Sequence, residues 1–322
     1  PIFYIRGTAT SSYSVSQRGS LIYATGAAKS RLAWFDRNGR ELGGHGEPAS
    51  FGTLRLSPDD KRLLVDVEDA SGNTDLWIYE TGREAATRFT FKPAIELAGS
   101  WSPDGSEIAY AIEAKRPAFD FAVKSARGSG LEKMIWSEPD TQKIPMDWSP
   151  DGKSLLMIVH NPKGQVLWDI WLYSLVDRKA RPLIQSRFTE FSASFSPDGK
   201  WFVYSSNESG KYEVYAQPVG GGGKWQISTN GGSFCTWSRA GNEIFYLGYD
   251  NKMMSAPVKI GETLEVGDPQ VLFQARPAPV QGRVYDVSRD AQRFAMNITT
   301  EDSASLPLTL VMNWPAMFEP EN

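Results

Sequence analysis

Seven polar side chains recur at one position of an internal repeat, and their types could support chemistry. Each lies two residues before the serine of a repeated turn, inside a strand pattern that is otherwise apolar. They are Ser14, Arg55, Ser100, Asp147, Ser194, Thr236 and Asp286. Carboxylates beside a guanidinium can bind a polar ligand or transfer protons. The charged members Arg55, Asp147 and Asp286 are therefore the first candidates for a ligand site.

Four more candidates lie in the segments that lead into these strands: Glu96, Glu190, Arg283 and Tyr285. Mixed charge next to an aromatic ring suits a peptide or a small polar ligand. If the strand before each turn is the innermost one, the seven repeated polar side chains form a ring around an axial channel. The four additional side chains should then meet the charged members of this ring at the mouth of the channel. A second interpretation stays open, in which the inner strands are polar only because water fills the channel.

The usual metal ligands and nucleophiles are scarce and scattered. His45 lies in a Gly-rich loop and His160 ends a strand, and because they occupy non-equivalent positions of the repeat we anticipate no metal site. The single cysteine, Cys235, lies in an apolar strand pattern and is expected in the core. No Gly-x-Ser-x-Gly elbow accompanies the many serines. We anticipate neither catalytic residues nor a cofactor.

A repeated tight turn must position these residues. Its fullest copy is the segment 195–204, Phe-Ser-Pro-Asp-Gly-Lys-Trp-Phe-Val-Tyr. Pro fixes the first central φ, Asp caps its own backbone and Gly takes a positive φ, so with alternating apolar residues on both sides the pattern predicts a β-hairpin. The turn serines, 41 to 50 residues apart, are Ser16, Ser57, Ser102, Ser149, Ser196, Ser238 and Ser288.

This period predicts a β-propeller, because about 40–50 residues make one four-stranded blade. We expect one all-β domain over residues 1–322, with seven blades of four antiparallel strands. The last blade receives only three strands from the C-terminal part of the chain. The segment Pro1 to Arg6 should supply its fourth strand and so close the ring. A six-bladed ring is the alternative, if the first or the last repeat is not a blade.

Composition argues against two classes of partner. The formal net charge of −4, from 34 basic and 38 acidic residues, gives no positive field that would attract nucleic acid. No apolar run approaches the roughly 18 residues of a membrane-spanning helix. We anticipate no nucleic-acid partner and no membrane segment in this chain.

The aromatic-Ser-Pro-Asp-Gly-Lys turns, followed by third strands such as Asp75-Leu76-Trp77-Ile78-Tyr79, resemble the WD-like repeats of TolB-type β-propellers. Residues 221–273 are more narrowly similar to the propellers that end many bacterial transmembrane serine/threonine kinases. The segments that carry this second likeness are 224–228 (Lys-Trp-Gln-Ile-Ser), 237–239, 243–246 and 253–258, with 310–314 at the end of the chain. It implies an extracytoplasmic domain, periplasmic or at the cell surface, with a kinase domain in cis. No kinase motif occurs in the chain itself.

Three functional hypotheses follow. The first is a non-catalytic sensor or interaction propeller that binds a protein, a peptide or a small polar ligand at the channel mouth. The second is a carbohydrate-active propeller enzyme of lyase or hydrolase type, which should show converging acid and base side chains. The third is a scaffold that resembles TolB, whose partner is a peptidoglycan-associated lipoprotein, and it should bury a large surface.

Overall fold

The computed structural model describes residues 13–16, 20–24, 29–114, 118–160, 167–280, 282–300 and 308–312. All regular elements within these ranges are β-strands, as the sequence predicts. In the same residues we find no helix with the length and apolarity needed to cross a membrane.

The described residues form 27 strands. In chain order they are β1 Tyr13–Val15, β2 Leu21–Ala24, β3 Ser30–Asp36, β4 Glu41–Leu56, β5 Arg62–Glu68, β6 Thr74–Glu80, β7 Ala86–Arg88, β8 Glu96–Trp101, β9 Glu107–Glu113, β10 Phe119–Ser125, β11 Lys133–Trp136, β12 Gln142–Trp148, β13 Ser154–His160, β14 Trp168–Ser174, β15 Lys179–Ile184, β16 Glu190–Phe195, β17 Trp201–Ser206, β18 Glu213–Pro218, β19 Trp225–Gln226, β20 Ser233–Trp237, β21 Glu243–Leu247, β22 Lys252–Ile260, β23 Leu264–Val266, β24 Gln270–Gln274, β25 Tyr285–Val287, β26 Arg293–Thr299 and β27 Leu308–Val311. Apart from β4 and β22, none exceeds seven residues. They are rich in β-branched and aromatic residues, which pack well on a pleated surface.

Most of these strands form six antiparallel, four-stranded sheets, which we name A to F. Sheet A is β4 to β7, sheet B β8 to β11, sheet C β12 to β15, sheet D β16 to β19, sheet E β20, β21, β22 and β24, and sheet F β25, β26, β3 and β4. The long β4 serves two sheets, because residues 41–49 pair with β3 and residues 50–56 pair with β5. The first strand of each sheet is called its inner strand below.

The hydrophobic cores lie between consecutive sheets. Trp201 of sheet D, for example, packs in one cluster with Trp237 of sheet E. Leu32 of sheet F packs in another with Phe51 and Leu54 of sheet A. The last sheet therefore packs against the first as the other sheets pack against their neighbours.

The predicted register of seven equivalent repeats does not match this pairing. Strand β3, expected as the third strand of the first repeat, pairs with β26 of the last one. Strand β27, expected as the third strand of the last repeat, pairs with β2, so that β1, β2 and β27 form a separate three-stranded sheet. Six four-stranded sheets and one three-stranded sheet are thus present among the described residues. The segment Pro1 to Arg6, predicted to close the ring, lies outside the described residues.

The Ser-Pro-Asp-Gly turns fold by one repeated hydrogen-bond scheme. In five turns the serine hydroxyl lies 2.5–2.6 Å from the Asp carboxylate two residues later, as Ser196 does with Asp198. The same hydroxyl accepts the main-chain N–H five residues on, as from Trp201. These bonds lower the pKa of the Asp104 carboxyl to about 2. The turn Asp residues therefore act as caps of their own turns.

A bulge in the inner strands aims the ring side chains. The strand register shifts just before the ring position in sheets A to E. Ala98, Ser192 and Phe234, each two residues before a ring member, adopt positive φ values of 55°, 58° and 55°. A bulge bends its strand and re-aims the side chains that follow.

Candidate functional site

The inner strands bring one group of charged side chains together near the centre of the molecule. Arg55 of sheet A donates a hydrogen bond to the carbonyl oxygen of Met146 on the inner strand of sheet C. Burial, and then the cation of Arg283, lower the pKa of Arg55 to about 10, and Asp147 and Asp286 oppose this shift. We call Arg55, Asp147, Arg283, Tyr285 and Asp286 the axial cluster. The structure thus brings together five of the seven predicted site residues.

The two carboxylates of the axial cluster hold neighbouring inner strands together. Asp147 Oδ2 accepts hydrogen bonds from the hydroxyl of Ser194 (3.0 Å) and the main-chain N–H of Phe195 (2.9 Å), both in sheet D. Asp286 Oδ2 accepts the main-chain N–H of Leu56 in sheet A at 2.9 Å. A carboxylate that accepts main-chain N–H groups makes strong, charge-assisted hydrogen bonds. Both residues therefore join adjacent sheets.

Arg283 and Tyr285 anchor sheet F to sheet E. The Tyr285 hydroxyl donates to the Phe234 carbonyl at 2.6 Å, and Arg283 Nη2 donates to the Cys235 carbonyl at 3.3 Å. Arg283 Nη1 has no hydrogen-bond acceptor and lies 3.8 Å from Asp286 Oδ1, although its side chain is only 6% exposed. Burial holds the pKa of Tyr285 well above its ordinary value. The site therefore contains a buried cation with one unused donor.

Three aromatic side chains lie next to this pair of anchors. The Phe191 ring is 5.0 Å from the Tyr212 ring and 5.6 Å from the Phe234 ring, both edge to face. All three side chains are half-buried. We call Phe191, Tyr212 and Phe234 the aromatic rim. Sequence analysis did not select them, although Phe191 and Phe234 occupy the segment just before the ring position.

Glu96 and Glu190 were predicted at the channel mouth, and the structure places both apart from the axial cluster. Each is the first residue of an inner strand and is only 1% exposed, at the junction with the preceding sheet. Burial raises the pKa of Glu96, with Thr90, Lys92 and Asp75 as its neighbours. Burial also raises the pKa of Glu190 to about 7. In both residues Oε2 has no hydrogen-bond partner.

A second contact between non-adjacent sheets lies at the turns and was not predicted. Arg239 in the sheet E turn donates to the carbonyls of Pro58 (2.5 Å) and Ser57 (3.1 Å) in the sheet A turn. It also lies 3.5 Å from Asp60, whose other carboxylate oxygen accepts the Arg289 N–H at 2.7 Å. Asp60 has φ 59° where the complete copies of the turn have glycine. That departure from the repeat was the signal available in the sequence.

The histidines and the cysteine have local structural roles. His45 is buried, contrary to the loop position expected from sequence, and accepts a hydrogen bond from Trp34 Nε1 at 2.8 Å. His160 packs 5.2 Å from the Trp168 ring. Cys235 is buried as predicted, and burial raises the pKa of its thiol to about 12. Among the described residues, no group of three or more His, Cys, Asp or Glu side chains has an arrangement that would hold a metal ion.

Comparison with known proteins shows that the chain has the fold of TolB-like propellers. No protein-family model matches the chain. It is 25% identical over 191 residues to the uncharacterized peptidase YuxL of Bacillus subtilis (strain 168), covering 48% of this chain and 29% of that protein. It is 24% identical over 226 residues to the uncharacterized protein Atu1656 of Agrobacterium fabrum, covering 69% and 73%. A third match, 26% over 120 residues, is to the Tol-Pal system protein TolB of Anaeromyxobacter dehalogenans, covering 37% and 26%. The chain thus spans less than a third of the YuxL and TolB relatives.

Solved structures agree on the fold. A putative TolB from Agrobacterium tumefaciens superposes with a TM-score of 0.68 at 20% identity, over 85% of this chain and 99% of that one. TolB from Acinetobacter baumannii superposes with a TM-score of 0.56 at 18% identity, over 90% and 78%. The chain has a TolB-like β-propeller fold.

Proposed function

We propose that this chain is a non-catalytic, six-bladed propeller that binds a carboxylate-bearing peptide segment of a partner protein at the aromatic rim. The observation that carries the proposal is Arg283 Nη1, a buried cationic donor without an acceptor beside Phe234 and the rest of the rim. Leaving such a donor unsatisfied costs about 1–3 kcal/mol. A peptide carboxylate would accept from it, while the aromatic rings would cover the apolar part of the peptide.

The hydrogen bonds of the two acidic residues favour binding over proton transfer. Asp147 and Asp286 each accept a main-chain N–H from the next inner strand. A general base must be free to accept a proton from its substrate. Protonation of these carboxylates would remove the charge that strengthens their inter-sheet hydrogen bonds.

The proposal includes a location and an architecture. We propose an extracytoplasmic domain that senses its partner, with a kinase domain in cis in the full-length protein. The support is the likeness of residues 221–273 and 310–314 to kinase-linked propellers, together with the TolB-like fold. Expression of the chain fused to a reporter that is active only outside the cytoplasm tests the location.

The binding test uses short fluorescent peptides with free C-terminal carboxylates and the same peptides with amidated termini. We expect the free acids to bind more tightly in a fluorescence-polarisation assay. Phe234→Ala and Arg283→Gln should weaken binding at least about tenfold, the effect of losing one charge-assisted hydrogen bond. Phe91→Ala is the matched control, because Phe91 is an aromatic residue 66% exposed near the junction of sheets A and B. Equal affinity for acid and amide, or binding unchanged in both site variants, would refute the proposal.

A second candidate is a domain that filters peptides for a peptidase, which the YuxL match favours. Filtering along the axis requires a passage. Arg55 to Met146 and Arg239 to Pro58 are both contacts between sheets that are not neighbours, so they cross the central space. We therefore rank this candidate second. An added protease would distinguish the two candidates. A bound peptide that is protected only at its end would favour binding at the rim over passage along the axis.

A further inference from the structure

Three junctions between sheets repeat one pair of positions. The second residue of the third strand is an aspartate in sheets A, B and C: Asp75, Asp120 and Asp169. Opposite it, six residues before the turn serine of the next sheet, stand Glu96, Lys143 and Glu190. The sequence therefore offers two acid–acid junctions and one acid–base junction at equivalent places.

The acid–base junction, between sheets B and C, encloses a cation in oxygen atoms. Lys143 is fully buried, and its ammonium lies 3.0 Å from the carbonyls of Glu138 and Thr141 and 3.2 Å from that of Phe119. Asp120 Oδ1 completes the cage at 3.5 Å. Four oxygen atoms, one of them from a carboxylate, thus surround one positive charge. The main-chain fold of this repeat position suits a cation.

The junction between sheets A and B already has a cation of its own. Arg88 Nη2 lies 2.6 Å from Asp75 Oδ2, and the Asn73 amide donates to the same oxygen at 3.0 Å. The guanidinium neutralises the aspartate of this junction.

The junction between sheets C and D has oxygen ligands, and within the described residues neither Asp169 nor Glu190 forms an ion pair, whereas the neighbouring Glu208 is paired with Lys224. Glu190 Oε1 accepts the hydroxyls of Ser186 (2.8 Å) and Ser206 (3.1 Å), and its Oε2 is buried without a partner. The main-chain N–H of Ser186 points to Asp169 Oδ1 at 3.4 Å, so one serine contacts both acids. Glu208 is a third carboxylate whose charge acts on Glu190.

We propose that the junction of sheets C and D binds Ca²⁺, with Glu190 and Asp169 as its carboxylate ligands and the Ser186 and Ser206 hydroxyls beside them. The donors are all oxygen, which selects a hard cation, and Ca²⁺ accepts six to eight such ligands in irregular geometry, whereas Mg²⁺ demands a near-ideal octahedron. No metal site was predicted from the sequence, because the two histidines and the single cysteine are scattered along the chain. Two carboxylates and two hydroxyls would be its protein ligands, and water would complete the coordination shell.

A surface groove shares one acidic residue with the surroundings of the site. A groove of about 470 Å³ is lined by Phe188, Glu208, Ser209, Tyr215, Lys224 and Gln226. Glu208 thus contributes to both the groove and the electrostatics of Glu190. The bound ion would fix sheet C to sheet D, as Lys143 fixes sheet B to sheet C. This inference is independent of peptide binding at the aromatic rim.

The test is thermal unfolding of the metal-stripped chain in CaCl₂, in MgCl₂ and in NaCl of matched ionic strength. We expect the midpoint to rise with Ca²⁺ concentration up to about 10 mM, the range of weak extracellular sites, with little response to Mg²⁺. Glu190→Gln and Asp169→Asn should each abolish the Ca²⁺ response. Glu96→Gln is the matched control and should keep it, because its junction carries Arg88.

One further variant copies the pair of Lys143 and Asp120 into the junction of sheets C and D. Glu190→Lys places an ammonium opposite Asp169, and we expect its midpoint without Ca²⁺ to reach that of the Ca²⁺-loaded protein, with no further response to the ion. A wild-type midpoint that does not respond to Ca²⁺ overturns the proposal. A response that persists in both Glu190→Gln and Asp169→Asn also overturns it.

Discussion

Arg55 on the inner strand of sheet A donates to the Met146 carbonyl on the inner strand of sheet C, across the inner strand of sheet B. The intervening sheet has the small, buried side chain of Ser100 at the equivalent position. The Trp101 indole donates to the main-chain carbonyl of Arg55 at 3.2 Å and fixes the same region from sheet B. Three successive sheets are thus joined through one arginine.

Replacing Arg55 should destabilise the fold more than an ordinary surface change does. Arg55→Ala leaves the Met146 carbonyl without its donor and removes a cation that acts on the carboxylates of Asp147 and Asp286. We expect the free energy of unfolding to fall by about 1–3 kcal/mol, measured by urea denaturation. Arg40→Ala is the control, because the Arg40 side chain is 77% exposed. Equal midpoints for the two variants would contradict a structural role for Arg55.

The contact of Arg239 with Asp60 should show measurable coupling. Asp60→Asn keeps a side chain that tolerates a positive φ and can still accept from the Arg289 N–H, but it removes the charge. A double-mutant cycle with Arg239→Ala should give a coupling energy of about 0.5–1 kcal/mol, since the pair is partly exposed and stands 3.5 Å apart. A coupling near zero would mean that Arg239 acts only through the Ser57 and Pro58 carbonyls.

Local chemistry made the turns and inner strands predictable, whereas contacts between distant repeats were not. Ser196 and Asp198 form their turn through neighbours in sequence, so the motif alone identifies it. The pairing of β3 with β26 and of β27 with β2 depends on which apolar surfaces of distant segments fit together. Leu32 packs with Phe51 and Leu54 of sheet A, and the spacing of the repeats does not predict this contact.

The candidate site divides in the same way. Arg55, Asp147 and Asp286 were found because their position recurs in every repeat. Glu190 lies apart from that cluster, because a bulge separates the first residue of the inner strand from the position of Ser194, and Glu190 faces the preceding sheet. Register within a strand is predictable from alternation only where no bulge intervenes.

The two ends of the chain offer a direct test of six against seven blades. Ala33 in β3 pairs with Met296 and Gly44 inside sheet F, whereas Ile22 in β2 pairs with Ser14 and Leu310 in the separate terminal sheet. Proline removes a ladder hydrogen bond from a central strand. We expect Ala33→Pro to cost about 2 kcal/mol or more of the free energy of unfolding and Ile22→Pro to leave the main transition almost unchanged. If both variants lower the main transition equally, the terminal sheet is a full blade.

Without Ca²⁺, the Glu190 carboxyl should make stability depend on pH. Burial, then the charges of Asp169 and Glu208, raise its pKa from 4.5 to about 7 in the folded chain, and the Ser186 and Ser206 hydroxyls oppose the shift. The folded chain thus holds the proton more tightly than the unfolded chain does. The stabilisation is complete below pH 4.5 and is lost as the pH rises through about 7. A shift of this size corresponds to about 3 kcal/mol at most.

Glu190→Gln should remove this dependence of the free energy of unfolding on pH, because the amide cannot ionise. In chelator, we expect the wild-type free energy of unfolding to fall between pH 5 and pH 8 by more than that of Glu190→Gln, so that the variant becomes the more stable protein at pH 8. Glu265→Gln, at a side chain 70% exposed, is the control and should follow the wild type. Adding Ca²⁺ at pH 8 should restore the free energy of unfolding of the wild type but should not change that of Glu190→Gln, because the ion replaces the proton on the Glu190 carboxylate. A wild type that is already insensitive to pH in chelator would show that Glu190 is ionised and paired in the folded protein.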